Sequence, residues 1–374
     1  MILTVITQNT TREPLTTTKT FKAQAVASLL GTSGDTVRRD VDEAGIQVQR
    51  QDSSIKTRLF SIENIFELAR YRAQKNSKRK VKKSVTLTVY APKGGVGKTT
   101  VTANLASLFA LMGLNTLVAD LDFQSNLTLS FGYDSELSPE EAKDANIPLD
   151  QCIEYHIGHL FPNWPTGQIP LDSVIKKPYG ACGPHLVPSD VSLDRLDTLL
   201  TYEALEGRNA ETAINKLLKD GRGGKLPGID LSQYDIIMFD APPAKNRVTR
   251  SALLASDFVL APISLEKFST KAVSYLASVL TEMNDQYGRN PELLIMGNFF
   301  DQNRPRVLQQ LSTIRSAYED CWLNASIRRS EDFPKTLSSD EYELPLCLSK
   351  PSSIGAADLR VVAEALIKRM GVFE

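Results

Sequence analysis

Apolar positions follow a helical rhythm in the first part of the chain. Ala23, Val26, Ala27 and Leu30 recur at intervals of three and four, the spacing of one helix face. The triplet "GTS" breaks this run; Gly31 suits a sharp turn and Ser33 can cap the next helix. In "GDTVRRDVDEAG", Val37 and Val41 fall inward while Thr36, Arg38 and Arg39 fall outward, a helix-turn-helix pattern. Ile46 and Val48, then Leu59 and Phe60, predict a short β-wing. "SIENIFELARYRAQ" follows, with Ser61 as cap, Asn64 three residues on, and Ile62, Ile65, Phe66 and Leu68 as its apolar face.

After residue 84 the period changes to two. Val85, Leu87 and Val89 share one face with threonines between them, which predicts a strand. A glycine turn and the helix "TTVTANLASLFALMG", closed by Gly113, lead to a second strand in "NTLVADLD". Strand, loop, helix and strand in that order begin a βαβ unit and a parallel sheet. "HLVPSD", "YDIIMFDAPP", "FVLAPIS" and "LLIMGNFFD" read as further strands, with helices such as "SLDRLDTLLTYEAL" and "STKAVSYLASVLTEMNDQYG" between them. The last helix, about 355–370, carries Leu359, Val362, Ala363 and Leu366 on one face; Glu364 interrupts its basic character, so it reads as core packing rather than membrane docking.

Two segments lack periodicity. Residues 1–18 are rich in threonine and read as a flexible lead-in. Residues 72–83, "RAQKNSKRKVKK", read as a solvated linker whose lysines and arginines equally suit contact with phosphates. The expected division is a flexible segment 1–18, a winged helix-turn-helix DNA-binding domain 19–71, a basic linker 72–84 and an α/β domain 85–374.

Composition narrows this little. A length of 374 residues suits one large α/β domain with a smaller one. Lys+Arg number 43 against 44 Asp+Glu, so nucleic-acid binding needs local patches. No apolar run approaches the roughly 18 residues of a membrane span, and "MILTVITQNTTREPL" lacks the basic start and apolar core of a secretion signal. Cys152, Cys182, Cys321 and Cys347 are far apart, which points to free thiols in a reducing cytosol. Cys152, His156 and His159 lack an evident fourth ligand for zinc and read as a surface loop.

The chemistry concentrates in "APKGGVGKTT". Gly94, Gly95 and Gly97 let backbone N–H groups curl round a phosphate without side chains in the way. The helix that starts there adds its positive end. Lys98 can reach terminal phosphates and the Thr99 hydroxyl can ligate Mg²⁺. Pro92 stands where the usual loop has its first glycine, and its missing N–H lies before the nest. Lys93 is a second cation beside the loop. In "LVADLDFQSN", alternation places Asp120 and Asp122 together at a strand's carboxyl end, where such sheets bind ligands. In "YDIIMFDAPP", Asp240 ends an apolar strand as a Walker B carboxylate placed to hold Mg²⁺.

"KGGVGKTT" resembles the deviant Walker A loop of the ParA/MinD family of P-loop ATPases, and "DLDFQ" and "DAPP" resemble its next two motifs, with Phe123 and Ala241 departing from the pattern. The resemblance spans most of residues 85–370. It implies a P-loop NTPase domain over 85–374, binding ATP or ADP with Mg²⁺ through residues 93–100, Val96 and Thr100 included. Lys93 would act across a nucleotide-sandwich homodimer, Lys98 on its own nucleotide, and Asp122 on the attacking water. Thr99, Asp120 and Asp240 would serve the metal. "APISLEKFS" resembles a segment whose proline-bearing turn borders the nucleotide, and "GNFFDQN" the segment whose asparagine, here Asn298, contacts adenine.

The N-terminal unit resembles a small winged helix-turn-helix of the MerR-like kind, with Ser33, Thr36, Arg38 and Arg39 as DNA contacts. "HLVPSDVSLDRLD" and "ASIRRSEDF…" resemble later blocks of the partition branch; Arg328 and Arg329, with Lys335 behind them, are candidates for non-specific DNA contact or for a salt-bridged pair beside Glu331 and Asp332. The implied function is a DNA-partition ATPase of the long class, stimulated by a ParB-type centromere-binding protein, binding operator and nucleoid DNA, cytoplasmic and nucleoid-associated. The alternatives are a MinD- or FlhG-like regulator at a membrane and a nucleotide-gated transcription regulator. A helical dimerisation module is the alternative for the N-terminal unit.

Overall fold

The computed structural model describes residues 19–51, 56–76, 80–264, 270–301, 303–333 and 344–374. The first unit opens on a short strand β1 (Phe21–Lys22), then helices α1 (Ala23–Leu29) and α2 (Gly34–Ala44). Strands β2 (Gln49–Arg50) and β3 (Arg58–Phe60) and helix α3 (Ile62–Lys75) complete it. The three strands form an antiparallel sheet in the order β1-β3-β2. Ser33 caps α2, and Ser61 with Asn64 forms a reciprocal capping box on α3. α3 runs to Lys75, so the expected linker loses its first residues to a helix.

The second unit is a seven-stranded sheet, with every pairing parallel. Its strands are β4 (Val85–Val89), β5 (Thr116–Asp120), β6 (His185–Val187), β7 (Ile236–Asp240), β8 (Phe258–Ser264), β9 (Glu292–Phe300) and β10 (Ile327–Arg328). The spatial order is β10-β9-β8-β4-β7-β5-β6. The helices are α4 (Lys98–Leu111), α5 (Asn126–Ser130), α6 (Pro139–Asp144), α7 (Leu171–Val174), α8 (Asp194–Leu205), α9 (Ala213–Arg222), α10 (Arg247–Ala255), α11 (Thr270–Tyr287), α12 (Pro305–Ala317), α13 (Leu346–Ser349) and α14 (Ile354–Met370). This is a P-loop NTPase sheet with helices on both faces.

β4 is buried on both faces, as a central parallel strand should be. Val85, Leu87 and Val89 face the α4 and α14 side. Thr86 and Thr88 face the other and are equally enclosed. They tolerate this because each hydroxyl is bonded: Thr88 to Ser256 at 2.6 Å, and Thr86 to Arg222 at 3.1 Å. β8 holds Pro262, a residue that interrupts most ladders. It fits because β4 pairs with β8 only at 258–260, so the missing donor lies beyond that ladder. The expected proline-bearing turn is therefore strand at Pro262, and 265–269 lie outside the described residues.

The two units share one core. Val26, Val37, Ile65 and Phe66 cluster with Leu105, Phe109, Leu359 and Leu366. Phe66 stacks on Tyr179 at 5.7 Å with nearly parallel rings, and Arg70 donates to the Asn115 side chain. At Gly113, φ is +88° and a Cβ would lie 2.1 Å from the Ala73 Cβ, so α3 seats against the end of α4 only because that residue is glycine. Past α3 the chain is tied to the tail: Lys82 N donates to Val372 O and Glu374 N to Lys80 O. α14 turns its apolar face into this core, with Leu359, Val362, Ala363 and Leu366 all fully buried. Among the described residues no helix is long and apolar enough to cross a membrane.

Candidate functional site

β4 delivers the chain to the carboxyl edge of the sheet, and residues 90–97 turn it back into α4. Gly95 and Gly97 take φ of 69° and 81°, a region costly for other residues. Gly97 has a steric reason as well: a Cβ there would meet the Phe299 ring at 2.3 Å and Asn298 Nδ2 at 2.7 Å. Gly94 and Gly95 are exposed, and nothing stands within 4 Å of a Cβ built on Gly94, so a ligand can approach the backbone. Val96 is buried beneath the loop, and Thr99 and Thr100 are half-buried in the first turn of α4.

Lys98 is buried, with Nζ 3.3 Å from the Lys93 carbonyl to which it donates. Burial pulls its pKa down, opposed by the nearby Asp240 and Asp122. Lys93 itself is exposed. Asp240 lies below, 2% exposed. Its Oδ2 accepts from Thr99 Oγ1 at 2.7 Å and its Oδ1 from Thr102 Oγ1 at 2.9 Å. Burial raises its pKa to about 6, against the pull of those two hydroxyls and Lys98.

β5 and β7 pair with Asp120 opposite Asp240, which sets a second carboxyl beside the first. Asp120 is fully buried and raised to about 8, by burial first and then by the Asp240 charge. Its Oδ2 accepts from Thr128 N and Oγ1, both at 2.9 Å, and its Oδ1 from Asp122 N at 3.1 Å. Asp120 is thus held by Thr128 and by the Asp122 backbone beside Asp240. Asp122 stands past the strand end rather than on it, half-exposed. Its carboxylate accepts from Gln124 N at 3.0 Å, and its carbonyl accepts from Ser189 Oγ at 2.9 Å.

Asn298 is fully buried and its Nδ2 donates to Val96 O at 2.7 Å, so the amide props the glycine loop. Phe299, next to it, takes φ of +51° and packs its ring edge-on to Phe333 at 4.8 Å. Thr102, Thr128, Ser189 and Phe299 were not picked out from sequence. Thr102 had a local signal, lying one helical turn from Thr99, whereas Ser189 meets the site across 67 positions.

Outside this cluster, Arg328 is committed to Asp358 on α14. Its N, Nε and Nη2 donate at 2.9, 2.9 and 2.6 Å, a bidentate pair with its own backbone added. Its ion-pair partner is therefore Asp358 on α14 rather than Glu331 or Asp332. Arg329 is exposed beside it, and Lys335 lies outside the described residues. In α2, Ser33 and Thr36 bond each other in the cap, Arg38 pairs with Asp35 at 2.5 Å, and Arg39 approaches Asp40 and Glu43. His156 and His159 are buried against Trp164 rather than on a surface loop. Burial pushes His156 down to about 4.

Backbone N–H groups, a buried lysine and a helix N-terminus make a pocket for a chain of phosphates. The Thr99 hydroxyl and Asp240 carboxylate are hard oxygen donors of the kind Mg²⁺ takes. Comparison with known proteins agrees with this chemistry. A family model described as "AAA domain" matches residues 84–295. The chromosome-partitioning ATPase Soj of Thermus thermophilus is 26% identical over 287 residues, 74% of this chain and 93% of that one. A putative plasmid partition protein of Borrelia burgdorferi, solved with AMPPNP, superposes with TM-score 0.54 at 22% identity over 77% of this chain and all of that one. Cobyrinic acid a,c-diamide synthase of Mycobacterium smegmatis, solved with ADP and magnesium, superposes at 0.56 with 21% identity over 76% of this chain and 95% of that one. At these identities the two structures show the fold.

Proposed function

The chain belongs to the AAA domain family and is a ParA-type ATPase, and from that premise we propose that it hydrolyses ATP with Mg²⁺ as a nucleotide-switched homodimer that moves DNA. The observation that carries this is the Thr99–Asp240 contact directly beneath a glycine loop flanked by two lysines. Lys98 would neutralise the phosphates bound in its own subunit. Thr99 and Asp240 would hold Mg²⁺, which supplies charge neutralisation on the phosphates. Asp122, the most exposed of the three carboxylates, would orient the attacking water.

Lys93 is exposed. Its charge suits the nucleotide of a facing subunit, where it would stabilise the transferring phosphoryl group. Turnover by the isolated protein would then be slow and rise with a partner, in this reading a ParB-type centromere-binding protein. The N-terminal unit would read operator DNA through α2, and the ATP-bound dimer would hold DNA without sequence preference, placing the protein in the cytoplasm on the nucleoid.

The test is binding to random duplex and to the protein's own upstream DNA, with ATP, with ADP and without nucleotide. Binding to random duplex that depends on ATP supports the reading. Equal binding in all three states removes the switch.

A further inference from the structure

Helix α2, the element proposed to enter DNA, is poorly charged for holding a phosphate backbone. It carries Arg38 and Arg39 against Asp35, Asp40, Asp42 and Glu43, a net of −2. Both arginines also have acidic neighbours in the same helix. Duplex binding draws most of its strength from phosphate contacts, so an α2-based reader needs cations from elsewhere.

The sequence holds such a reserve close by. Between Glu67 and Asp120 there is no acidic residue. Within that stretch residues 80–83 are extended and exposed, and they are fixed in place. Val81 bridges Phe373 antiparallel, Lys82 N donates to Val372 O at 2.8 Å, and Glu374 N donates to Lys80 O at 3.1 Å. Alternation along an extended chain sends Lys80 and Lys82 to the same side. Lys83, on the other side, rests 5.6 Å from the Phe258 ring centroid. A flexible lysine run loses entropy whenever it grips a ligand; a run zipped to the tail has already lost part of it. The location also fits. Gly31, the turn between α1 and α2, lines the same cavity of about 710 Å³ as Phe373 and Glu374 of the tail.

We propose that the zipped segment 80–83 is a phosphate-contacting rail, through which duplex DNA engaged by the N-terminal unit is held by Lys80 and Lys82. This rests on the DNA-binding reading above and narrows the phosphate contact that the basic run 72–83 suggested to the two lysines that the tail holds on one side. Phosphate contacts would position the duplex, and α2 would be left to read bases.

The test is fluorescence anisotropy of a labelled 30-base-pair duplex from the protein's own upstream DNA against the full chain, without nucleotide, at a series of salt concentrations. Each lost phosphate contact lowers the slope of log affinity against log salt by about 0.9. Lys80→Gln/Lys82→Gln should therefore have a slope smaller by about 2, with circular dichroism unchanged. Lys80→Arg/Lys82→Arg should keep the wild-type slope. Lys143→Gln/Lys216→Gln, which removes two exposed lysines elsewhere, should keep it as well. An unchanged slope in the first variant, or an equal drop in the last, overturns the rail and leaves the DNA-binding reading standing. If the wild-type chain binds no duplex in any nucleotide state, the DNA-binding reading itself falls and the rail with it.

Discussion

Replacing Gly97 with alanine tests the link between the glycine loop and its support. Two costs can be worked from the structure. An alanine at φ +81° sits in the left-handed region, which costs about 1–2 kcal/mol. Its Cβ would also overlap the Phe299 ring at 2.3 Å and Asn298 Nδ2 at 2.7 Å. Moving Asn298 breaks its buried bond to Val96 O, a further loss of about 1–3 kcal/mol. For 374 residues the unfolding entropy is about 0.8 kcal/mol/K. A total near 3 kcal/mol therefore lowers Tm by about 4 °C. Phe299→Ala removes the ring that collides, so the double variant should be less destabilised than the sum of the singles by about 1–2 kcal/mol. Melting followed by circular dichroism, with titration of a fluorescent ATP analogue, gives both quantities. Gly97→Ala should bind the analogue at least about tenfold more weakly, a loss of about 1.4 kcal/mol. Wild-type melting and affinity in Gly97→Ala, or strict additivity in the double variant, would refute the steric argument.

Without metal, two buried groups should tilt stability with pH in opposite directions and leave a falling alkaline limb. His156, pushed down to about 4 from an ordinary 6.5, takes a proton more readily unfolded than folded, so its contribution falls as pH drops from 6.5 toward 4. Asp120, raised to about 8 from 3.8, keeps a proton in the folded state that the unfolded chain releases, so its contribution falls all the way from pH 3.8 to 8 and offsets that of His156 below 6.5. From pH 6.5 to 8 that amounts to about 2 kcal/mol, or 2–3 °C in Tm; in Asp120→Asn with EDTA this alkaline limb should flatten, and an unchanged limb would rule Asp120 out as its source. Phe66→Ala empties a fully buried position stacked on Tyr179. It should cost about 3–5 kcal/mol and expose the region after α3 to limited proteolysis; an unaltered melting curve and digestion pattern would show that the two units do not depend on each other.

The parts of this site that follow from local chemistry were legible in the sequence. Gly95, Gly97, Lys98 and Thr99 sit within one turn, and Asp240 ends an uninterrupted apolar strand. What stayed hidden depends on distant pairs. The bonds of Asp120 to Thr128, and of Thr128 to Ser189 across 61 positions, left no mark in the sequence. Arg328 looked like a surface cation because Asp358 arrives from a later helix. Asn298 matched a base-contacting pattern that gave no sign of its bond to the loop. β1 and β10, two residues each, are too short to leave a periodic signal. That the exposed segment 80–83 is bonded to residues 372–374 was hidden for the same reason, its partner lying at the far end of the sequence.

If Lys93 of one subunit serves the nucleotide of another, as proposed, hydrolysis needs two chains. The most direct measurement is Mg²⁺-dependent ATP turnover per subunit across a wide range of protein concentration, with Lys98→Ala as the inactive background. Turnover per subunit should rise with concentration and saturate, and Lys93→Ala should abolish the rise. Turnover per subunit that is constant down to concentrations where the protein is monomeric would contradict the proposal.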